Sequence, residues 1–224
     1  MKTLKLISII GFLILFSSCL DDNDSDPLYR ELGVVEGHVF GFTIKTDQGN
    51  VLDPGDIHSE NYTPTHGDRV LLQYYVNDEK ELSSDIVDYM IDLQYLAKID
   101  VDNIYHLNEG DSIEHFGEDN IFDLQLSGGQ SFLNLEFTYI KADKNEFALI
   151  YNPDEQKDDG NIRLDLRHKS EGEGKDQVYT IKSFPIDEFL DTEEDYVSII
   201  VYATDRYGSV INKQIQYYVD FTDN

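Results

Sequence analysis

The sequence predicts an all-β protein: an OB-like five-stranded barrel followed by an antiparallel β-sandwich. Three observations lead there. Apolar residues recur with period two in run after run, turn residues separate those runs at short intervals, and no long segment of helical period lies between them. Strands so closely spaced pair antiparallel with their neighbours.

The first strand reads from Val34 to Thr46, with Phe40, Phe42 and Ile44 on one face and Gly37 and Gly41 on the other. Glycine inside a strand marks a bulge or tight coiling, which a small closed barrel needs. Val70, Leu72, Tyr74 and Val76 form the next clear alternation. From Ile86 to Ala97 the pattern is double: Ile86, Tyr89, Met90, Leu93 and Ala97 fit a helical face, while Val87, Tyr89, Ile91, Leu93 and Tyr95 fit a strand. Its β-branched and aromatic content favours the strand. The loop Asn108-Glu109-Gly110-Asp111 then divides the chain into a barrel over 33–112 and a sandwich of seven or so strands over 113–224.

In the second half, Leu133, Leu135, Phe137 and Tyr139 alternate with polar residues, as do Ile162, Leu164 and Leu166, and then Ile211, Ile215, Tyr217 and Val219. Turn signals stand at Gln48-Gly49-Asn50, His66-Gly67-Asp68, Ser127-Gly128-Gly129, Asp158-Asp159-Gly160 and Tyr207-Gly208-Ser209.

Ahead of the barrel, Lys2 and Lys5 precede an apolar run from Leu6 to Phe16. Eleven residues are too few for a bilayer span of about 20, and the flanks are those of a signal peptide over 1–18. Phe16-Ser17-Ser18-Cys19 resembles a bacterial lipobox, with Phe16 where such boxes usually carry Leu. Small residues before the cysteine admit the peptidase, and the thiol carries the lipid. Cys19 is the single cysteine, so no intramolecular disulfide forms and lipidation consumes the thiol. Residues 19–32 form an acidic tether in which Asp21, Asp22, Asp24 and Asp26 resemble an export signal for the cell surface. An EF-hand reading of those aspartates fails, because Pro27 stands where the loop needs glycine and Gly33 where it needs glutamate.

Cleavage before Cys19 leaves 15 basic residues against 45 acidic ones, a formal charge of −30, from −28 for the full chain. Nucleic acid is excluded as a partner, since its binding neutralises phosphates with Lys and Arg. The membrane is met through the lipid on Cys19. At 40% hydrophobic, with 15 Tyr and 12 Phe, the chain has material for a core, which excludes global disorder.

Catalytic signatures are missing: no His-Glu-x-x-His pair, Gly-x-Ser-x-Gly elbow, phosphate-binding glycine loop or Cys-His couple occurs. Ser131 follows Gly128-Gly129-Gln130 and reads as part of a turn. His58, Glu60 and His66 share a polar loop whose spacing fixes no metal geometry. Acids at Asp187 to Asp195 offer a calcium loop only as one acidic stretch among many. No metal, cofactor or catalytic residue is assigned. His168 shares a face with Ile162, Leu164 and Leu166 and is expected to be buried and hydrogen-bonded. Arg163, Asp165 and Arg167 fall on the opposite face, as a solvated cross-strand ion pair.

The lipobox and tether, Gly49, Asp53, Tyr62 and Gly67-Asp68-Arg69-Val70-Leu71-Leu72 resemble the NigD-like lipoproteins of Bacteroidetes. So do Phe132-Leu133-Asn134-Leu135-Glu136-Phe137-Thr138-Tyr139 and Ile162-Arg163-Leu164-Asp165-Leu166-Arg167-His168, which carry the match across nearly all of the mature chain. Where that family pattern has a His-containing strand, Asn145-Glu146-Phe147-Ala148-Leu149 stands here. The resemblance implies the barrel-then-sandwich order and an outer-membrane lipoprotein with Gly67, Asp68, Arg69, Arg167 and His168 as motif residues. It also implies a non-enzymatic role in binding a protein partner, since the family is named for a protein proposed to confer bacteriocin immunity. Capture of a carbohydrate or peptide is the alternative.

Overall fold

The computed structural model describes residues 27–38, 41–55, 62–192 and 194–219. Cys19, the four tether aspartates, Phe40, His58 and Glu60 lie outside the described residues.

The first domain is a closed barrel of β1 (Tyr29–His38), β2 (Gly41–Thr46), β3 (Val51–Asp53), β4 (Arg69–Val76) and β5 (Tyr89–Lys98). Strand order around it is β1-β2-β3-β5-β4, with β3 and β5 parallel and every other pair antiparallel. Alternate residues fill the interior: Val35, Phe42, Ile44, Leu52, Val70, Leu72, Tyr74 and Ile91. The Ile86–Ala97 region resolves as the strand β5.

The single strand expected over Val34–Thr46 is instead the hairpin β1–β2, with His38 opposite Gly41. Gly37 takes φ +99, so the glycines there serve a chain reversal and not a bulge. The alternation changes phase at the reversal, since Val35 and Gly37 of β1 stand opposite Ile44 and Phe42 of β2, so Gly37 shares the Phe42 face and not the opposite one.

The second domain is a sandwich. One sheet has the order β14-β13-β11-β10-β7 and the other β6-β12-β9-β8. Its strands are β6 (Asp100–Val101), β7 (Tyr105–His106), β8 (Ile121–Gly129), β9 (Phe132–Lys141), β10 (Lys144–Tyr151), β11 (Asn161–Glu171), β12 (Asp176–Pro185), β13 (Tyr196–Thr204) and β14 (Val210–Tyr218). One helical turn, α1 (Asp187–Leu190), connects β12 to β13. Two facing layers of Leu, Ile, Val and Phe close the core, among them Leu133, Leu135, Phe137, Leu164, Leu166, Ile199 and Val201.

Strand pairing passes to the sandwich early. β5 ends at Lys98, and Asp100–Val101 already pairs with β12, ahead of the division expected near residue 112. The sandwich is also not purely antiparallel, because β13 lies parallel to β11. After β11 the chain crosses to the opposite sheet as β12 and returns through α1. A strand that comes back after such a crossover runs in the direction it left.

Candidate functional site

The site lies where barrel and sandwich meet, and Arg69 organises it. On β4, Val70 points into the barrel, so its neighbour Arg69 points out, towards the sandwich. Its side chain is fully buried. Arg69 Nη2 donates to Asp47 Oδ2 at 2.5 Å and to Asn134 Oδ1 at 2.9 Å, and Nε donates to Ser183 Oγ at 3.3 Å. Ser183 Oγ donates to Asn134 Oδ1 at 2.7 Å, and Asn134 Nδ2 donates to Asp47 Oδ2 at 2.8 Å. The guanidinium also covers the Phe132 ring at 4.8 Å. Two barrel residues and two sandwich residues thus meet in one buried polar network that bridges the domains, in which Arg69 Nη1 and Asp47 Oδ1 find no partner among the described residues. Beside it Leu32 and Ile99 pack on Ile181.

A second clamp stands at the edge of the junction. Arg30 Nη2 on β1 donates to Glu136 Oε2 at 3.2 Å and to Tyr179 OH at 2.7 Å. Burial first, then Glu136, push the Tyr179 phenol up to about 12, so it stays protonated and bridges to Glu136.

The β8–β9 hairpin meets the barrel directly. Gly129 approaches Asp47 so closely that a Cβ there would lie 2.3 Å from the Asp47 carbonyl oxygen. The turn itself comes one residue later than the Ser127-Gly128-Gly129 signal, at Gln130 (φ +52) and Ser131 (φ +61). Both take the left-handed conformation without being glycine, at a cost of about 1–3 kcal/mol each. Three hydrogen bonds hold them: Ser131 N–H to Tyr217 OH at 2.7 Å, Ile186 N–H to Ser131 O at 2.9 Å, and Gln130 Nε2 to Thr46 O at 3.2 Å.

Between the β2–β3 turn, this hairpin, α1 and the end of β14 opens a cleft of about 750 Å³. Lys45, Gln48, Ser131, Asp187, Asp191 and Tyr217 are among its lining residues. Its acids outnumber its single lysine, and Asp47 is already engaged by Arg69.

The motif residues named in the sequence fall into three places. Gly67 (φ +86) makes the turn into β4, where its N–H donates to Val35 O. Asp68 then staples that loop: its carboxylate accepts from Tyr62 OH at 2.5 Å, Thr65 N–H at 2.9 Å, Thr65 Oγ1 at 2.7 Å and Lys98 Nζ at 2.6 Å. Burial pushes its carboxyl up, but those donors outweigh burial and hold it well below the usual carboxylate range. Of the five, only Arg69 reaches the junction, 0% exposed at its side chain.

Arg167 and His168 lie far along β11. His168 is 2% exposed, stacked on Phe147 at 4.6 Å, with Nε2 3.2 Å from Asn145 Oδ1. Burial lowers its pKa and keeps the imidazole neutral at pH 7. The expectation from strand parity therefore holds. Asn145 and Phe147 on β10 are its partners. Arg167 pairs with Glu118 at 3.1 Å.

The opposite face is less solvated than expected. Arg163 is buried, its guanidinium gripped by Asp159 at 2.9 and 2.5 Å. The β10–β11 connection folds over it, and Gln156 bonds both the N–H and the carbonyl of Arg163. Among the described residues no group of His, Cys, Asp and Glu is arranged to hold a metal. His66 Nδ1 instead accepts the Gly37 N–H at 3.2 Å.

Sequence reasoning missed Asp47 and Ser183, and quoted Asn134 without assigning it a role. The alternation gave no signal for Asn134. Period two put it on the solvent face of β9, yet Leu133, Asn134 and Leu135 are all buried, because the barrel covers the face the core does not.

An OB-like barrel locked on a β-sandwich defines a two-domain all-β class. The sequence pattern of the NigD-like C-terminal beta sandwich domain matches residues 103–217, about half of the chain, and the chain belongs to that family. Solved structures that share the fold include the following three. A protein of unknown function from Bacteroides vulgatus is 20% identical with a TM-score of 0.72, covering 88% of this chain and 94% of that one. A Bacteroides fragilis protein described as a candidate lipoprotein is 16% identical with a TM-score of 0.61, covering 88% and 100%. A NigD-like immunity protein from Bacteroides caccae is 19% identical with a TM-score of 0.58, covering 88% and 98%. No curated protein sequence matches this chain.

Proposed function

We propose that this chain is a non-enzymatic lipoprotein, anchored in the outer membrane by acyl chains on Cys19 and displayed at the cell surface, that acts by binding a protein partner. Immunity to a bacteriocin is one form of that role. The observation that carries the reading is the cleft of about 750 Å³ between two domains locked together by Arg69. Its walls are in place before a ligand arrives, which lowers the ordering cost of binding. A net charge of −28 steers basic partners inward and turns nucleic acid away. The Bacteroides caccae relative described as an immunity protein supports the role, and the Bacteroides fragilis relative supports the lipid anchor.

Carbohydrate capture would call for coplanar exposed rings. Tyr196 and Tyr218, both exposed at the cleft end of β13 and β14, are tilted by 56° to one another, which favours the protein reading.

Three measurements test the proposal. Protease added to intact cells should cleave the chain while a periplasmic control survives, and Cys19→Ala should release it to the soluble fraction. A photo-reactive side chain at Gln48, exposed on the cleft wall, should form a covalent adduct with one protein. A chain protected until the outer membrane is broken would overturn the surface address. Glycan retention with no protein adduct would overturn the partner.

A further inference from the structure

The cleft opens onto an unfinished sheet. Among the described residues β14 is the last strand in its sheet order, hydrogen-bonded to β13 on one side only, and β8 of the opposite sheet runs close to it without pairing. Its pairing with β13 is continuous from Val210 to Tyr218, with no bulge. Val219 N–H donates to Asp195 O at 3.0 Å, which sets the phase of the ladder. By antiparallel alternation the odd-numbered residues of β14 bond β13, and the even-numbered ones turn N–H and C=O outward. No backbone hydrogen bond among the described residues uses those of Asn212, Gln214, Gln216 or Tyr218.

Proteins usually blunt such an edge with proline, a bulge or several charges. β14 has no proline and one charged residue, Lys213. The same edge, from Ile215 to Val219, forms a wall of the cleft, and Asp187 and Asp191 stand in the same cleft. Exposed Tyr218 and Tyr196 flank it on the outer face.

Resting on the reading that the chain binds a protein, we propose that the partner enters the cleft as an extended segment with alternating basic and apolar residues, adding a strand to β14. Gln214 to Tyr218 offers about 17 Å of edge, room for a five-residue strand. Backbone bonds to Gln214, Gln216 and Tyr218 hold the segment. Its basic side chains face Asp187 and Asp191, and its apolar ones cover Tyr218. A second copy of this chain is the poorer occupant, because it brings another −28 to the same acidic rim.

The test uses the full chain and a capped peptide of four Lys-Val repeats. Binding should weaken at least tenfold for Glu-Val repeats, for a Lys-Val peptide N-methylated at alternate amides, and for D187N/D191N. Gln216→Pro should have the same effect, since its outward N–H takes no part in pairing with β13 and edge strands tolerate proline there. Hydrogen exchange on the unaltered chain should show the Gln214, Gln216 and Tyr218 amides protected by peptide, a readout that does not depend on the variant folding. Equal binding of the N-methylated peptide, or no protection of those amides, overturns the proposal. So does a dimer in sedimentation that Gln216→Pro abolishes, because it puts a second copy on the edge. Where the Gln48 adduct persists in Gln216→Pro, the strand-addition proposal fails and partner binding stands. Where no adduct forms even in the unaltered chain, the partner reading itself fails.

Discussion

Removing the Arg69 guanidinium would leave the buried Asp47 carboxylate with the Asn134 amide as a partner but without its opposite charge. Breaking a buried ion pair from one side costs more than the pair contributes, because the remaining charge is stranded. Arg69→Met is therefore expected to lower unfolding stability by about 3 kcal/mol, the low end for such pairs because Asp47 borders the cleft. Replacing Asp47 with Asn in the same chain should recover part of the loss, as a double-mutant cycle in urea would read. Asp68 makes a different prediction. Lys98 is half exposed, so that ion pair contributes little, and the hydrogen bonds from Tyr62 and Thr65 carry the effect. Asp68→Asn should cost about 2 kcal/mol at pH 7. The native carboxyl lies below its unfolded value, so its contribution is complete above about pH 4 and drains away as pH falls towards the native value. The stability gap between the unaltered chain and Asp68→Asn should therefore narrow steadily from pH 4 downward. A gap that stays constant to pH 3 would sink the account.

Among the elements, the β8–β9 hairpin bears the most constraint. It contributes Gly129 to the barrel contact, Gln130 and Ser131 to the cleft wall, and Asn134 to the Arg69 network. Gly129→Ala should push the hairpin off Asp47 and cost about 1–3 kcal/mol, visible as a lowered melting temperature. The same substitution at Gly49, whose neighbourhood is open, tests backbone strain without crowding and should leave the hairpin in place. Hydrogen exchange across residues 125–135 separates the two. β11 is constrained in a simpler way, with His168 and Leu166 inward and Arg163 under the Asp159 loop, so both of its faces are covered.

On the scale of the whole molecule, the buried network, the Leu32–Ile99–Ile181 contact and the Arg30 clamp join the domains tightly enough to unfold together. Calorimetry should show one transition for the unaltered chain. With R30A and R69M combined, barrel and sandwich should melt as two. Two transitions in the unaltered chain would mean that the junction couples the domains weakly, and the cleft would then lose its fixed walls.

Much of this was legible in the residues. Alternation records which residues share a face, so β4, β9, β11 and β14, the choice of strand over helix for β5 and the burial of His168 could be read. The lipobox-like stretch and the acidic run are likewise local chemical patterns, and the anchor they imply belongs to the proposed function. Alternation does not record what lies against the second face. Asn134 and Arg163 look solvated until the barrel covers one and a loop covers the other. Nor does it record pairing partners: the run from Val34 to Thr46 hid a reversal at which the inward positions pass from odd to even numbers, and β13 came to lie parallel to β11 only because the chain had crossed between sheets. By itself the sequence determined the composition of each core and the charge. Only the tertiary structure decided the junction, the cleft and the open edge of β14, because each is made by residues from distant stretches of chain whose meeting no local period encodes.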